Sequence, residues 1–259
     1  MKINKIKSMR GILLILLVGM IFSYSEAQFY KVYGYETPER GETELVYWTS
    51  YIAQSDLSYS FFGKALDREG LWSHSLELEY GLTDRLTLAA YLDFESPSGE
   101  NLHYVQTRAV FFRYMFAQKG EFFFDPAVYA EYYFPRKGYE DHEELEIRLI
   151  LEKDLGNFRV DINPIFEKVT SGAEVEEGLE FNYAVGLYYR KFHSIQPGIE
   201  FHGMMGEMVD FKSTERQQHV LFPTVDMRFG EFHWHLGAGK GLTAKTDQWI
   251  FKSIISYEF

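Results

Sequence analysis

The stretch Trp249-Ile-Phe-Lys-Ser-Ile-Ile-Ser-Tyr-Glu-Phe259 decides the fold. Taken two at a time from the end, Phe259, Tyr257, Ile255, Ser253, Phe251 and Trp249 form one set, and Glu258, Ser256, Ile254, Lys252 and Ile250 the other. The first set is mostly aromatic and aliphatic; the second carries the charges. A period of two belongs to a strand, so this is a strand lying between two different environments.

The same alternation recurs upstream. Leu76, Leu78 and Tyr80 oppose Glu77 and Glu79; Leu86, Leu88, Ala90, Leu92 and Phe94 oppose Thr87, Ala89, Tyr91 and Asp93. Leu145, Ile147, Leu149 and Leu151 oppose Glu146, Arg148 and Ile150, and Phe232, Trp234, Leu236 and Ala238 oppose His233, His235 and Gly237. Twelve strands are predicted, at 43–53, 71–80, 85–95, 103–116, 121–134, 143–154, 158–169, 178–190, 194–205, 217–229, 231–239 and 248–259. The outer face of 43–53 is undecided, because both of its parities carry apolar residues. Tight turns at 81–84, 117–120, 155–157, 191–193 and 230 alternate with longer, mostly polar segments at 54–70, 96–102, 135–142, 170–177, 206–216 and 240–247. Short periplasmic turns and longer outer loops are the pattern of a transmembrane antiparallel up-and-down β-barrel.

A final strand that alternates in this way and ends on Phe259 resembles the C-terminal signature of Gram-negative outer-membrane barrels. In that family the last strand is what the barrel-assembly machinery recognises. Leu76-Glu-Leu-Glu-Tyr-Gly-Leu-Thr-Asp-Arg-Leu-Thr-Leu88 is similar to a hairpin of small outer-membrane barrels grouped with the MetA-pathway phenol-degradation family. That resemblance covers about a dozen residues and implies a barrel that moves small or apolar molecules across the outer membrane.

The N-terminus fits that compartment. Lys2, Lys5, Lys7 and Arg10 precede the apolar run Gly11 to Phe22, and Ser25-Glu26-Ala27 ends in a small residue before Gln28. These are the parts of a cleaved secretory signal. The expected organisation is a signal at 1–27, a periplasmic segment at 28–42 and a barrel at 43–259. Aromatics are 18% of the chain, yet mean hydropathy is -0.25, as when polar lumen residues dilute lipid-facing ones. A soluble, lipocalin-like barrel alternates too, with its apolar face inside, but twelve strands are many for a small ligand barrel.

Net charge is -12; removing a signal that carries +4 from Lys and Arg and -1 from Glu26 leaves -15. Such acidity argues against nucleic acid as a partner. The expected partners are outer-membrane lipids, lipopolysaccharide and the assembly machinery, with the chain a monomer.

Lys or Arg on the lipid face near mid-bilayer costs about 2–4 kcal/mol, so the charged set is assigned to the lumen. It comprises Glu77, Glu79, Asp93, Arg108, Glu131, Glu146, Arg148, Arg159, Asp161, Glu180, Glu200, Asp226 and Arg228, with His233 and His235. Two readings stay open: a charged constriction that selects solutes, and a plug of ion pairs that fills a narrow barrel.

His202, Met204, Met205 and Met208, with His233 and His235, are residue types that suit soft metals, but their spacing fits no ligand motif. Glu140 to Glu144 and Glu174 to Glu177 lack the spacing of a calcium loop. No metal or cofactor is expected. Ser73, His74 and Ser75 have no evident orienting partner for a triad, and Gly237 to Gly241 fails the phosphate-loop pattern, with Trp234 and Gly241 at its key positions. The chain is expected to be a passive channel for small apolar or cationic solutes rather than an enzyme. The alternative is a structural or partner-binding barrel whose lumen is closed by charge.

Overall fold

A computed structural model describes residues 30–172 and 174–259; the expected signal at 1–27 lies outside the described residues. The strands are β1 (Thr43–Gln54), β2 (Ser58–Phe61), β3 (Lys64–Asp67), β4 (Trp72–Thr83), β5 (Leu86–Ser96), β6 (His103–Met115), β7 (Asp125–Pro135), β8 (His142–Leu155), β9 (Phe158–Gly172), β10 (Glu180–Tyr189), β11 (Ile195–Glu207), β12 (Gln218–Phe229), β13 (Phe232–Gly241) and β14 (Trp249–Glu258). All except β2 and β3 form one closed antiparallel barrel in which sequence neighbours pair. The ladder from Glu44 opposite Glu258 to Ile52 opposite Ile250 closes it, and Thr43 and Phe259 exchange backbone hydrogen bonds of 3.0 and 2.9 Å at its end.

Burial is inverted relative to a soluble protein, where Asp and Glu almost never lose all contact with solvent. Glu77, Glu79, Asp93, Glu131, Glu146, Asp161 and Glu200 are buried inside, whereas Leu76, Leu78, Leu92, Ile147 and Phe251 are exposed outside. An outside of this kind is built for lipid, and the inside is a polar lumen. The same burial settles β1. Val46, Trp48, Ser50 and Ile52 point inward, and Leu45 and Tyr47 outward. Trp48 can face a polar interior because its indole N–H donates to Glu77 Oε2 at 2.8 Å.

Two-residue turns at Gly156 and Gly230 use the left-handed backbone open to glycine, with φ of 62° and 61°. They lie at the same end as Phe259; so does the β6–β7 connection at 116–124, which is longer than the β5–β6 and β7–β8 connections at the other end.

Four expectations are corrected. The segment placed in the periplasm at 28–42 runs, from Tyr30 onward, into the barrel. Its backbone finds partners on lumen side chains, and Tyr33 and Tyr35 bury their rings there. The loop at 54–70 contains the hairpin β2–β3, whose turn residues Phe62 and Gly63 both have positive φ, as a tight hairpin turn requires. Its Tyr59 and Phe61 pack against Ile52, Leu71, Val105 and Tyr139 inside the barrel mouth. Gly81 is not a turn residue: β4 runs to Thr83. What Gly81 supplies is room, since a Cβ there would stand 1.9 Å from Glu39 O, where the chain leaves the lumen. Finally, β7 begins at Asp125 rather than 121. Phe122 and Phe123 are exposed in the preceding turn, as interfacial aromatics are.

Candidate functional site

The candidate site is the lumen, and pairing register organises it. Glu258, Glu44, Glu79, Ala89, Val110, Glu131, Glu146, Glu167, Glu180 and Glu207 each stand directly opposite the next, strand by strand, around the wall. Glutamate holds every step except Ala89 on β5 and Val110 on β6. Strands in a barrel tilt against its axis, so the row climbs. Glu258 and Glu44 lie at the end marked by Phe259, while Glu180 opens β10 and Glu207 closes β11 at the opposite end. Directly opposed like charges destabilise a sheet, so such a row must be compensated.

Arginines compensate its middle. Arg108 pairs with Glu131 at 3.0 Å and Asp93 at 2.6 Å, with the Tyr91 ring 4.0 Å from the guanidinium. Arg148 pairs with Glu146 at 2.8 Å, and Asn182 Nδ2 donates to Glu167. Elsewhere on the wall Arg159 pairs with Asp161 at 3.0 Å. Glu200 accepts the Tyr188 hydroxyl at 2.7 Å and meets His202 at 3.0 Å, His235 at 3.1 Å and the Lys252 ammonium. Asp226 meets His233 at 2.7 Å and Arg228 at 3.7 Å. Toward the ends the row is looser. Glu180 has Lys212 at 3.6 Å, and Glu79 has Arg113 at 3.7 Å.

The N-terminal segment crosses this lumen as an extended chain held by side chains in place of strand neighbours. Asn163 accepts from Tyr33 N–H at 2.7 Å and donates to Tyr33 O at 3.0 Å. Tyr35 N–H donates to Glu152 at 2.8 Å. Arg113 Nη2 donates to Gly34 O at 2.6 Å and Glu36 O at 2.7 Å, Arg148 to Lys31 O at 3.2 Å and Lys252 to Tyr30 O at 2.6 Å. Thus the backbone needs that would otherwise forbid burial are met. Tyr33 and Tyr35 join Trp48, Tyr91 and Tyr129 on the β1 and β5–β8 side; Val32 packs on Ile165 and Ala184 of the opposite wall.

At the segment's exit Lys119 joins Glu152 at 2.6 Å and Glu36 at 3.2 Å. Burial disfavours these charges, but the contacts outweigh it, holding the Glu36 carboxyl below its ordinary range and pushing Lys119 up to about 12. The Glu36 contribution is present above the ordinary carboxylate range and is lost as pH falls through its lowered value; that of Lys119 is lost as pH rises through about 12. Both hold at neutral pH.

The segment leaves two spaces. One of about 600 Å³ adjoins the Phe259 end and is lined by Glu36, Glu42, Glu44, Glu79, Glu231 and Glu258 among other acids, with Lys31, Arg113, Arg159 and Arg228 as its cations. The other, about 110 Å³, lies on the far side near Arg108, Arg148, Trp48 and His202. Lys31 lines both. Over the opposite mouth, Arg68 donates to both oxygens of Asp247 at 3.0–3.1 Å, and Ser55 adds a hydrogen bond of 2.6 Å. An apolar groove of about 710 Å³ lies on the outer wall beside Tyr51, Trp72, Val225, Leu236 and Phe251.

Sequence reasoning passed over Arg113, Glu152, Asn163 and Lys252. Glu152 and Lys252 carry the inward parity of their strands and were legible. Arg113 was not, because a bulge between Val110 and Phe112 turns Phe111 and Phe112 outward and reverses the parity beyond them. Ser73, His74 and Ser75 do not converge. Ser75 Oγ donates inward to Asp93 at 2.5 Å, while His74 faces out beside Trp72 and meets the Tyr47 hydroxyl at 2.7 Å.

Among known proteins the chain matches no family and no curated relative by sequence. Its structure is similar to an outer-membrane channel from Pseudomonas putida F1, with a TM-score of 0.60 and 16% identity over 87% of this chain and 98% of that one. Looser likenesses are the translocator domain of the autotransporter NalP from Neisseria meningitidis (TM-score 0.46, 8% identity, 86% and 89% covered) and LpxR from Salmonella typhimurium (0.44, 10%, 83% and 99%). The first supports the fold; the other two carry nothing more.

Proposed function

We propose that the chain is an outer-membrane channel for small solutes that favours cations over anions, with the N-terminal segment setting how open the lumen is. The row of in-register glutamates carries this reading, because rings and rows of carboxylates along a pore attract cations and repel anions. The excess of acids in the space beside Phe259 acts in the same sense. The likeness to a channel from Pseudomonas putida F1 supports passage as the role. The signal at 1–27 would export the chain, Phe259 would present it to the assembly machinery, and lipid and lipopolysaccharide would surround a single barrel.

Reversal potentials under a salt gradient test the selectivity. Cation preference is expected for the wild type, and a weaker preference for Glu44→Gln combined with Glu79→Gln. Anion preference in the wild type would end this reading. The effect falls with ionic strength, since the Debye length shrinks from about 30 Å at 0.01 M to about 3 Å at 1 M.

A second reading has its own observation. The segment Tyr30 to Glu36 and the hairpin β2–β3 enter the lumen from opposite ends, each tied by buried hydrogen bonds or ion pairs. A barrel closed at both ends would serve as a structural or partner-binding element. Bulk conductance of purified, folded protein separates the two: sustained current supports the channel, and silence supports the closed barrel.

A further inference from the structure

We propose that the Trp48 ring face and the carboxylates beside it form an alkylammonium site in the lumen, and that the chain's own Lys31 fills this site as a tethered blocker. The site is seen with an ammonium in it. Lys31 Nζ stands 4.4 Å from the Trp48 ring centroid and 4.6 Å from that of Tyr33. Both lie inside the roughly 6 Å over which a ring quadrupole attracts a cation, and indole is the strongest of the ring types. Glu77, Glu79 and Glu44 act on the same charge through space.

Trp48 is held where a cation can use it. It is buried, its indole N–H donates to Glu77 Oε2 at 2.8 Å, and Tyr91 packs edge-on at 6.2 Å. A carboxylate accepting from the indole N–H polarises the ring and strengthens its hold on a positive charge. The other cations near Tyr33 are tied down. Arg148 and Arg113 lie 4.5 and 5.5 Å from its ring, but Arg148 pairs with Glu146, and Arg113 donates to Gly34 O and Glu36 O.

Lys31 differs from them in reach and place. Its ammonium ends a flexible four-carbon stem, and it lines both lumen spaces, the one of about 600 Å³ and the one of about 110 Å³. A solute moving between the two passes this ammonium. Ring faces carry no lone pairs for a metal ion, and among the described residues no three acidic or histidine side chains converge on one. What fits is a singly charged ammonium on a short alkyl chain, the outline of the lysine side chain itself. Such a solute takes the site only when Lys31 has withdrawn, so the two compete.

The blocking role rests on the reading of the lumen as a cation path; the site can be tested without conduction. Lys31→Ala removes everything beyond Cβ, which is n-propylammonium in outline. Lys31→Met removes the charge and keeps most of the volume. The test is titration calorimetry of the full mature chain, folded in detergent at low salt and neutral pH, with n-propylamine and 1-propanol as probes. The amine should bind Lys31→Ala at least about tenfold more tightly than it binds the wild type or Lys31→Met, which corresponds to about 1.4 kcal/mol, with no heat from the alcohol. It should raise the thermal transition of Lys31→Ala alone. Lys31→Ser takes its place should Lys31→Ala not fold. In planar bilayers Lys31→Ala should pass more potassium current than the wild type, and added n-propylamine should return that current to the wild-type level. No binding to the truncated variants, equal binding to Lys31→Met, or equal heat from 1-propanol would overturn the site. Binding with a potassium current unchanged by truncation would overturn the blocking role. Binding by a barrel that passes no current in either form keeps the site and loses the channel; a conducting barrel whose truncated variants ignore the amine does the reverse.

Discussion

A chain that begins at Glu39 is expected to pass severalfold more current per channel than the full mature chain. The segment it lacks lies across the lumen, with Tyr33 and Tyr35 buried against Trp48, Tyr91 and Tyr129 on one wall and Val32 against Ile165 and Ala184 on the other. Twelve strands enclose more space than wall side chains alone fill, so its loss leaves a continuous aqueous path rather than a collapsed core. The barrel itself should survive. Closure depends on the β1–β14 ladder and the Thr43–Phe259 hydrogen bonds, all downstream of the deletion. Asn163, Glu152, Arg113 and Arg148 lose backbone partners, and water entering the lumen replaces them at small cost. Single-channel recording in planar bilayers is the check. Equal conductance in the two chains would mean that the segment does not obstruct the path.

Arg108→Ala is expected to be the most destabilising single change in the wall, by about 3–5 kcal/mol, the usual cost of removing one partner from a buried ion pair. Asp93 and Glu131 are 0% and 1% exposed, and both depend on Arg108, which also donates to Ser75 Oγ at 3.2 Å. Without it both carboxylates lose their ion-pair partner, and Asp93 keeps only the Ser75 and Gln106 donors. Arg228→Ala is the control. Its side chain is 45% exposed and stands 3.7 Å from Asp226, so about 0–1 kcal/mol is expected. Urea unfolding in lipid vesicles, followed by the electrophoretic shift between folded and heated protein, measures both. Equal losses would show that water fills the lumen around Arg108 and screens the network.

Much of the fold could be read from residues alone, and the reason is local. In 76–80, and in 145–151 save for the inward Ile150, apolar residues and charges alternate, so strand, face and environment follow together. Each turn containing Gly156 or Gly230 could be found because its backbone needs glycine. The glutamate row could not. Its members belong to strands joined by loops of every length, and their opposition depends on bulges such as those between Gly81 and Thr83 and between Val110 and Phe112. Glu44 and Glu79 face each other only because the hairpin β2–β3 returns the chain to β1's side. Charge type was legible; alignment was not.

The N-terminal segment failed to show for a different reason. Tyr30 to Glu36 has no strand neighbour, so its backbone partners are side chains: Asn163, Glu152, Arg113, Arg148 and Lys252, scattered over β6, β8, β9 and β14. No spacing rule connects such residues to a stretch that precedes the barrel. Buried polar side chains aimed at one strip of lumen become intelligible only when the strip is occupied.

A cross-link between the N-terminal segment and the barrel wall tests whether the segment lies inside the lumen. The chain has no cysteine of its own, so Val32→Cys with Ala184→Cys introduces one possible disulfide between residues that pack together. This disulfide is expected to form on mild oxidation in barrels that run as folded on a gel. Folded barrels that do not cross-link, and whose cysteine at 32 reacts as fast as an unstructured peptide with a membrane-impermeant thiol reagent, would place the segment outside the barrel and contradict it.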